Sequence, residues 1–592
     1  MAKRMRTFSS ARLLAIAAVL SLIGLVASGP AEAQQSSKTA STSKAAPAPE
    51  LPIVSIPQVM RINELIEQKW KDNEIRPAEI CSDYEFIRRA TLDILGRIAT
   101  PEEIAQFMRE APQSRRASLI DRLLASEEYV DNWATIWTTW LLTRSANPLN
   151  RDQMQVWLAE QFSDSYVDPE TGQIKKKAEP TGWDDIVRGL ITAKGMNNEN
   201  GAVNFILQHL GEPTPRGQEI KDGMFDFVPI TSRITRIFLG IQIQCTQCHD
   251  HPFNPEWKQK HFWGMNTFLR QVRRIGTPAR RNNRMNVPIF GLQDDESLNK
   301  ENMIYFENRK AVGFMRRSEY LDGSQWKVGS NKTRREALAE FIINDPFFAK
   351  AYVNRMWAHF FGRGLTVNKE FDDFGQHNEV VHPELLEYLA EEFRKVNYDH
   401  RELIRWICNS KPYNLACTAN ETNEKKEDEV FFSRMLLKSM SPEQLFESIW
   451  VSTYAYGQEK ATVDETRRDL RERWLNQLVV SFGDDEGNEQ TFNGTVIQAL
   501  MLMNGNDINA AIESKDGPVA AAMAKGSWPA VVDHLFLIVL NRKPTTAEQK
   551  QIFEDIKPVL IREDTRRPEF WRKAAQDLFW ALLNSSEFIL NH

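Results

Sequence analysis

The sequence predicts a mainly α-helical protein: two helical domains separated by an irregular or β-containing excursion. Three observations carry this reading. From about Ile56 onward, apolar residues recur at three- and four-residue spacing through most of the chain. Helix-start devices punctuate that pattern at Thr100, Ser441 and Pro544. Between about Arg270 and Lys332 the periodicity weakens, and Arg, Asn, Pro and Gly take over. The chain has 592 residues, too many for one core. The expected organisation is a signal peptide at 1–33, a disordered linker at 34–54, a helical domain at 55–270, the excursion at 271–332 and a second helical domain at 333–592.

The first segment carries Lys3, Arg4, Arg6 and Arg12, then an apolar run from Leu13 to about Ala27, then Ala31-Glu32-Ala33. A basic start, a short apolar stretch and an Ala-x-Ala site together make a secretory signal peptide. The run falls short of the ~20 apolar residues of a spanning helix, so a mature chain without a transmembrane segment, periplasmic or secreted, is expected. Residues 34–54, rich in Ser, Thr, Ala, Gln and Pro, lack the large apolar side chains a core needs.

In the helical part, Thr100-Pro101-Glu102-Glu103 combines a capping hydroxyl, a proline at the first helical position and a carboxylate to close a capping box. Ser441-Pro442-Glu443-Gln444 repeats the device, and Pro544-Thr545-Thr546-Ala547-Glu548 is a looser version. A second pattern recurs at Leu123–Tyr129, Ile342–Phe348, Ile407–Tyr413 and Leu582–Phe588: two apolar residues, a small polar pair, Glu or Pro, then an aromatic. This is the end of one helix, a cap and the start of the next, with the aromatic packed back into the joint. In the excursion, Arg270, Arg273, Arg274, Arg280, Arg281 and Arg284 are expected to form a solvated charged face. The formal net charge of −6 gives no case for nucleic acid as a partner.

Five cysteines are too few for a disulfide scaffold in so long a chain. Cys408 and Cys417 form one close pair. Cys245 and Cys248 form another, within Cys245-Thr246-Gln247-Cys248-His249-Asp250-His251-Pro252-Phe253. Ile234, Ile237, Phe238, Ile241 and Cys245 follow helical spacing, and Cys248 and His249 extend that face. The thiols and the imidazole are therefore expected to project toward the core from a helix stopped by Pro252. Two thiols and an adjacent His are what a c-type haem uses, as thioethers and an iron ligand. That makes Cys245, Cys248 and His249 the candidate cofactor residues, with His382 or Met265 as the candidate second ligand. His261, His377 and several Met between 285 and 315 are further candidates. Iron without a second ligand favours small-ligand or peroxide chemistry over electron transfer. Three other readings stand beside haem. One is zinc on Cys245, Cys248 and two of His249, His251 and His261. Another is a redox dithiol, without the usual βαβ context. The last is a structural pair beside a hydrogen-bonded His.

Several stretches carry a family resemblance. They are Phe86-Ile87-Arg88-Arg89-Ala90 through Glu103, Leu119–Ser126, Phe238-Leu239-Gly240-Ile241-Gln242 through Phe253, and Phe262-Trp263-Gly264. Beyond the excursion they are Val353–Gly364, His382-Pro383-Glu384-Leu385-Leu386 and Ala581–Phe588. With these the chain resembles a family of large secreted planctomycete proteins that pair a cytochrome-like domain of unknown function with a second, C-terminal domain of unknown function. The resemblance makes 55–270 the cytochrome-like domain. Many relatives carry an additional N-terminal haem module; here no Cys precedes Cys81. The resemblance also implies work on extracellular polymer or polysaccharide.

Other polar groupings have plainer explanations. Asn354, Arg355, Trp357, His359 and Arg363 read as a core helix with a glycine cap at Gly362. Asp372, Asp373, His377 and His382 could join as a carboxylate–imidazole site, but His382-Pro383 also reads as a helix start. Glu102, Glu103, Glu127 and Glu128 suit first helical turns. No hydrolase elbow, His-Glu-x-x-His motif or phosphate loop is present. The expectation is an exported c-type haem protein in redox or electron transfer, with redox proteins as partners. The alternative is a haem-free scaffold or polysaccharide-processing accessory whose Cys-His segment binds zinc or forms a disulfide.

Overall fold

Helix ends follow the local chemistry. In a computed structural model, Thr100 Oγ1 accepts the Glu103 N–H at 3.2 Å and the Glu103 carboxylate accepts the Thr100 N–H at 2.8 Å, starting helix Pro101–Arg109. The same reciprocal pair forms at Ser441 and Gln444 and at Thr545 and Glu548. Each cap is worth about 1 kcal/mol. The structure describes residues 55–168, 171–277, 289–453, 512–560 and 568–592, with isolated positions between 467 and 474 and residue 509. The expected signal peptide, the linker up to residue 54, and Arg280, Arg281 and Arg284 lie outside the described residues.

Three of the four repeated corners form as expected. Ser126, Asp345 and Ser585 cap helices Glu127–Leu142, Pro346–Phe361 and Ser586–Ile589. At the third corner Ser410 ends helix His400–Asn409, and a 3-10 turn, Pro412–Asn414, follows. Tyr129, Phe348, Tyr413 and Phe588, the aromatics of the four corners, are all fully buried.

The protein is mainly helical with substantial non-helical parts. In the excursion, strand Ile289–Asp294 is central in an antiparallel sheet, between Val272–Thr277 and the short strand Gly195–Met196. A separate hairpin pairs Ile304–Glu307 with Gly313–Arg316. The expected solvated arginine face is corrected at Arg270. Its guanidinium is buried over Phe227 and donates to Asn266 Oδ1 at 2.8 Å. Burial lowers its pKa to about 10. Arg274 lies between the rings of Phe225 and Phe290. Arginine stems and faces pack well on apolar surface, which a charge count overlooks.

The hydrophobic core divides elsewhere than at the excursion. One core runs from Val59 to Met435 and takes in helices from both sides of it. Helix Pro346–Phe361 packs on helix Val228–Leu239, and helix Arg334–Asn344 packs on helix Trp183–Thr192. A second core runs from Met440 to Ile589 and includes Leu92 and Ile98 from the first part of the chain. The expected boundary at 333 is therefore not a core boundary. The described residues of 271–332 are anchored to the first core through Val272, Leu292, Tyr320 and Leu321, and the apolar surface changes partners near 436–440.

Helix Asp83–Leu95 touches both cores. Its Arg88 donates to the carbonyls of Val539 and Phe588 at 3.2 and 2.7 Å, and Arg89 to that of Leu415 at 2.9 Å. Asp93 accepts from Lys438 Nζ at 2.8 Å, Tyr413 OH at 2.8 Å and Asn591 Nδ2 at 2.7 Å. All three side chains are buried. No helix among the described residues is long and apolar enough to cross a membrane.

Candidate functional site

The Cys-His segment follows helix Val228–Leu239, whose Ile234, Ile237 and Phe238 enter the first core. The helix ends at Gly240 and does not continue to Pro252. Gly240 adopts φ +63°, its N–H donates to Arg236 O, and Ile241 N–H donates to Thr235 O. A Cβ at this position would come within 2.9 Å of the Phe374 ring, so both conformation and space call for glycine. The chain then enters the 3-10 turn Gln244–Gln247.

That turn reverses the expected orientation of the thiols. Ile243 and Thr246 point inward, and Thr246 Oγ1 donates to Ile243 O at 2.7 Å. With three residues per turn, Cys245 and Cys248 share the opposite, outer side. Both are exposed, where a continued α-helix would have turned them to the core. All five cysteines are free thiols in this structure.

Helix Gln259–Thr267 holds the turn from below. Gln259 Nε2 donates to Gln247 O at 3.0 Å and to Glu307 O at 2.9 Å, and Trp263 Nε1 donates to Gln247 O at 3.1 Å. Met265 lies on this helix, buried in the first core. His382 is placed differently. It precedes helix Pro383–Lys395, stacks near Phe432, and its Nε2–H donates to Val430 O at 2.8 Å. Burial lowers its pKa to about 4. To ligate a group at the turn it would have to leave these contacts.

The imidazoles around the turn differ in which nitrogen is available. His249 Nδ1 lies 2.6 Å from Asp250 O; a carbonyl only accepts, so Nδ1 carries a proton, and in the neutral ring Nε2 keeps its lone pair. His251 Nδ1 accepts the Asn254 N–H at 2.9 Å and the Phe253 N–H at 3.3 Å, so in the neutral ring the proton sits on Nε2. His261 Nδ1 likewise accepts the Lys258 N–H at 3.1 Å. Burial lowers the pKa of both His251 and His261, which favours those neutral forms.

A loop from beyond the excursion completes the site. Asp372 is buried and accepts from Arg236 Nε at 2.7 Å, Gln242 Nε2 at 3.3 Å and Arg355 at 3.5 Å, which anchors the loop. Asp373 Oδ2 bonds His377 Nε2 at 2.8 Å, and the His377 ring lies 5.8 Å from that of His251 and 5.9 Å from that of Phe253. A Cβ on Gly375 would stand 2.9 Å from both the His377 ring and Asn254 Nδ2, so glycine allows this approach. The four-residue carboxylate–imidazole grouping thus separates: Asp372 binds arginines, Asp373 pairs with His377, and His382 starts a helix. Asn354, Arg355 and Trp357 are buried within helix Pro346–Phe361, which Gly362 caps at φ +79°. His359 also lies in this helix, where burial lowers its pKa to about 4.

Two thiols on one exposed side and an imidazole with a free Nε2 are the donor chemistry of a c-type haem, and they fit it. Zinc on two thiolates and two imidazoles fits less well, because His251 and His261 use their lone pairs on backbone N–H groups. Among the described residues, no group of three or more His, Cys, Asp or Glu is arranged to hold an ion.

Fold and site define a mainly helical protein in which a thiol–imidazole turn from one sequence region meets an Asp-His loop from another. Those regions correspond to two known families. Residues 61–274 match PSCyt2, described as a protein of unknown function (DUF1549), and residues 334–555 match PSD1, a protein of unknown function (DUF1553). The chain therefore pairs two domains of unknown function, as its sequence resemblance implied. No curated protein and no solved structure matches it.

Proposed function

We propose that this protein attaches a c-type haem covalently through Cys245 and Cys248, with His249 Nε2 on iron, and acts in redox or electron transfer. The observation that carries the proposal is the hydrogen bond from His249 Nδ1 to Asp250 O, which in the neutral ring leaves the Nε2 lone pair available beside two exposed thiols. Bound there, haem supplies reversible one-electron chemistry. The protein's own residues fix the geometry. Thr246 anchors the turn to the core, Gln259 and Trp263 hold the Gln247 carbonyl, and Asp250 sets the His249 tautomer. The charged, apolar and Ala-x-Ala pattern of residues 1–33 supports export, as does the resemblance to secreted planctomycete proteins. Export suits covalent haem attachment, which takes place outside the cytoplasm.

The test is expression with the N-terminal segment in a host that matures c-type cytochromes, followed by a reduced pyridine haemochrome spectrum and iron analysis. A c-type band with one iron per chain is expected, and it should disappear in the Cys245→Ala, Cys248→Ala double variant. Haem-free protein with bound zinc or a Cys245–Cys248 disulfide would overturn the proposal in favour of a haem-free scaffold or polysaccharide-processing accessory.

A further inference from the structure

The hairpin Ile304–Glu307 and Gly313–Arg316 presents a surface that the turn's chemistry does not use. Residues 309–315 are exposed without a break. Tyr305, Val312, Phe314 and Met315 are 57%, 49%, 41% and 40% exposed. From Asn308 to Ser318 the sequence has four cations, Arg309, Lys310, Arg316 and Arg317, and no acid, in a chain whose net charge is −6. None of these four enters an ion pair among the described residues. The local charge is therefore a property of the hairpin, not of the whole protein.

The hairpin is also coupled to the turn. Gln259 bonds Gln247 O and Glu307 O at once, so the end of the hairpin that carries residues 308–312 lies beside the Cys-His turn. Trp263, which holds Gln247 O, stacks on Phe306 at 5.8 Å, and Phe306 stacks on Phe314 at 5.7 Å. Phe314 brings that stack to the surface. The register sets Tyr305 opposite Met315 on the other face.

We infer that this hairpin is the docking surface for an acidic redox partner protein, an inference that rests on the proposed redox function and supplies its partner class. On one face Tyr305 and Met315 make an exposed aromatic and thioether centre, and with the cations of residues 309–317 beside them this face has the composition of protein interfaces. Unpaired cations of one sign steer an acidic partner to a chosen face and set its encounter rate. A polyanionic polysaccharide would use the cations but has little to bury Val312 and Met315 against. Docking here puts the partner's reactive edge next to the exposed Cys245 and Cys248.

The experiment uses the full chain with haem and an acidic flavodoxin as the probe, with haem reduction followed by stopped flow across a salt series. The rate is expected to fall steeply with salt. The Arg309→Glu, Lys310→Glu double variant is expected to slow it by roughly tenfold or more at low salt, with dithionite reduction unchanged. Val312→Ser should slow it with little change in salt dependence. An unchanged flavodoxin rate in the charge-reversed protein overturns the inference. So does retention on immobilised alginate that is lost in that variant while the flavodoxin rate holds, because the surface then serves a polysaccharide. If the protein carries no haem, the redox proposal fails on its own, and flavodoxin binding is read by titration calorimetry. The same charge reversal must then weaken binding by roughly tenfold, and equal binding overturns the docking surface separately.

Discussion

Helix Asp83–Leu95 and the turn Gln244–Gln247 both concentrate side chains that a sequence reader notices, and the fold treats them in opposite ways. In the helix, Arg88, Arg89 and Asp93 are buried and hydrogen-bonded to segments hundreds of residues away. In the turn, Cys245 and Cys248 face solvent and His249 keeps a free nitrogen. Charges in the first place join two cores. Reactive atoms in the second remain available. A motif's composition does not separate the two cases; whether its polar atoms are already engaged does.

The sharpest way to break this comparison is at Asp93. Replacing it with Ala leaves the partly buried Lys438 without its carboxylate and Tyr413 and Asn591 without their acceptor, and we expect a loss of about 3 kcal/mol, near the cost of halving a buried ion pair. Urea unfolding followed by circular dichroism measures it; a loss under about 1 kcal/mol would mean that the junction is not held by this charge. Phe588→Ala should cost about 3–5 kcal/mol through the cavity left in the second core, with the first core's aromatic signal unfolding later than the second's.

The pH dependence sharpens it further. Burial lowers His359 and His382 to about 4, so each is neutral when folded. The unfolded chain binds more protons below about 6.5, and stability falls as pH drops from there to about 4. Burial pushes the Glu443 carboxyl up, but Arg144, at 3.0 Å, outweighs it and holds the pKa at about 2. Its contribution, about 3 kcal/mol, is complete above the unfolded carboxylate value near 4.5 and is lost as pH falls through 2. Glu443→Gln should leave the higher window intact and flatten the lower one in denaturant titrations at stepped pH. The smallest expected effect is at the turn. Cys245→Ser should change stability by under about 0.5 kcal/mol, as for other exposed positions, and a loss of several kcal/mol by the same titration would make the turn a structural element after all.

What the sequence made legible was local. The capping boxes and three of the four helical corners each lie within a few residues and formed as read, and the aromatics of all four, Tyr129, Phe348, Tyr413 and Phe588, are buried. The donors of the site were also visible, as Cys245, Cys248 and His249. Their orientation was not, although a signal existed: Gly240 marked the end of a helix that apolar spacing alone carried on to Pro252. The pairing of His377 with Asp373 beside His251 is a contact between distant segments, which no periodicity records. The continuity of one core across the excursion was not legible for the same reason. Loss of helical pattern at 271–332 marks an excursion, but only packing shows that the helices on either side share one interior.

The clamp on helix Asp83–Leu95 has a consequence in time. Arg88 and Asp93 take partners at Phe588 and Asn591, separated from them by 500 and 498 positions. At about 5–20 residues per second, a ribosome needs roughly 25–100 s to cover that distance. Throughout that interval the helix has been made and these two partners have not. Arg88 and Asp93 therefore gain these partners only after some 500 further residues have been made, whereas Arg89 finds Leu415 much sooner, so the first core can form well before the two cores are joined.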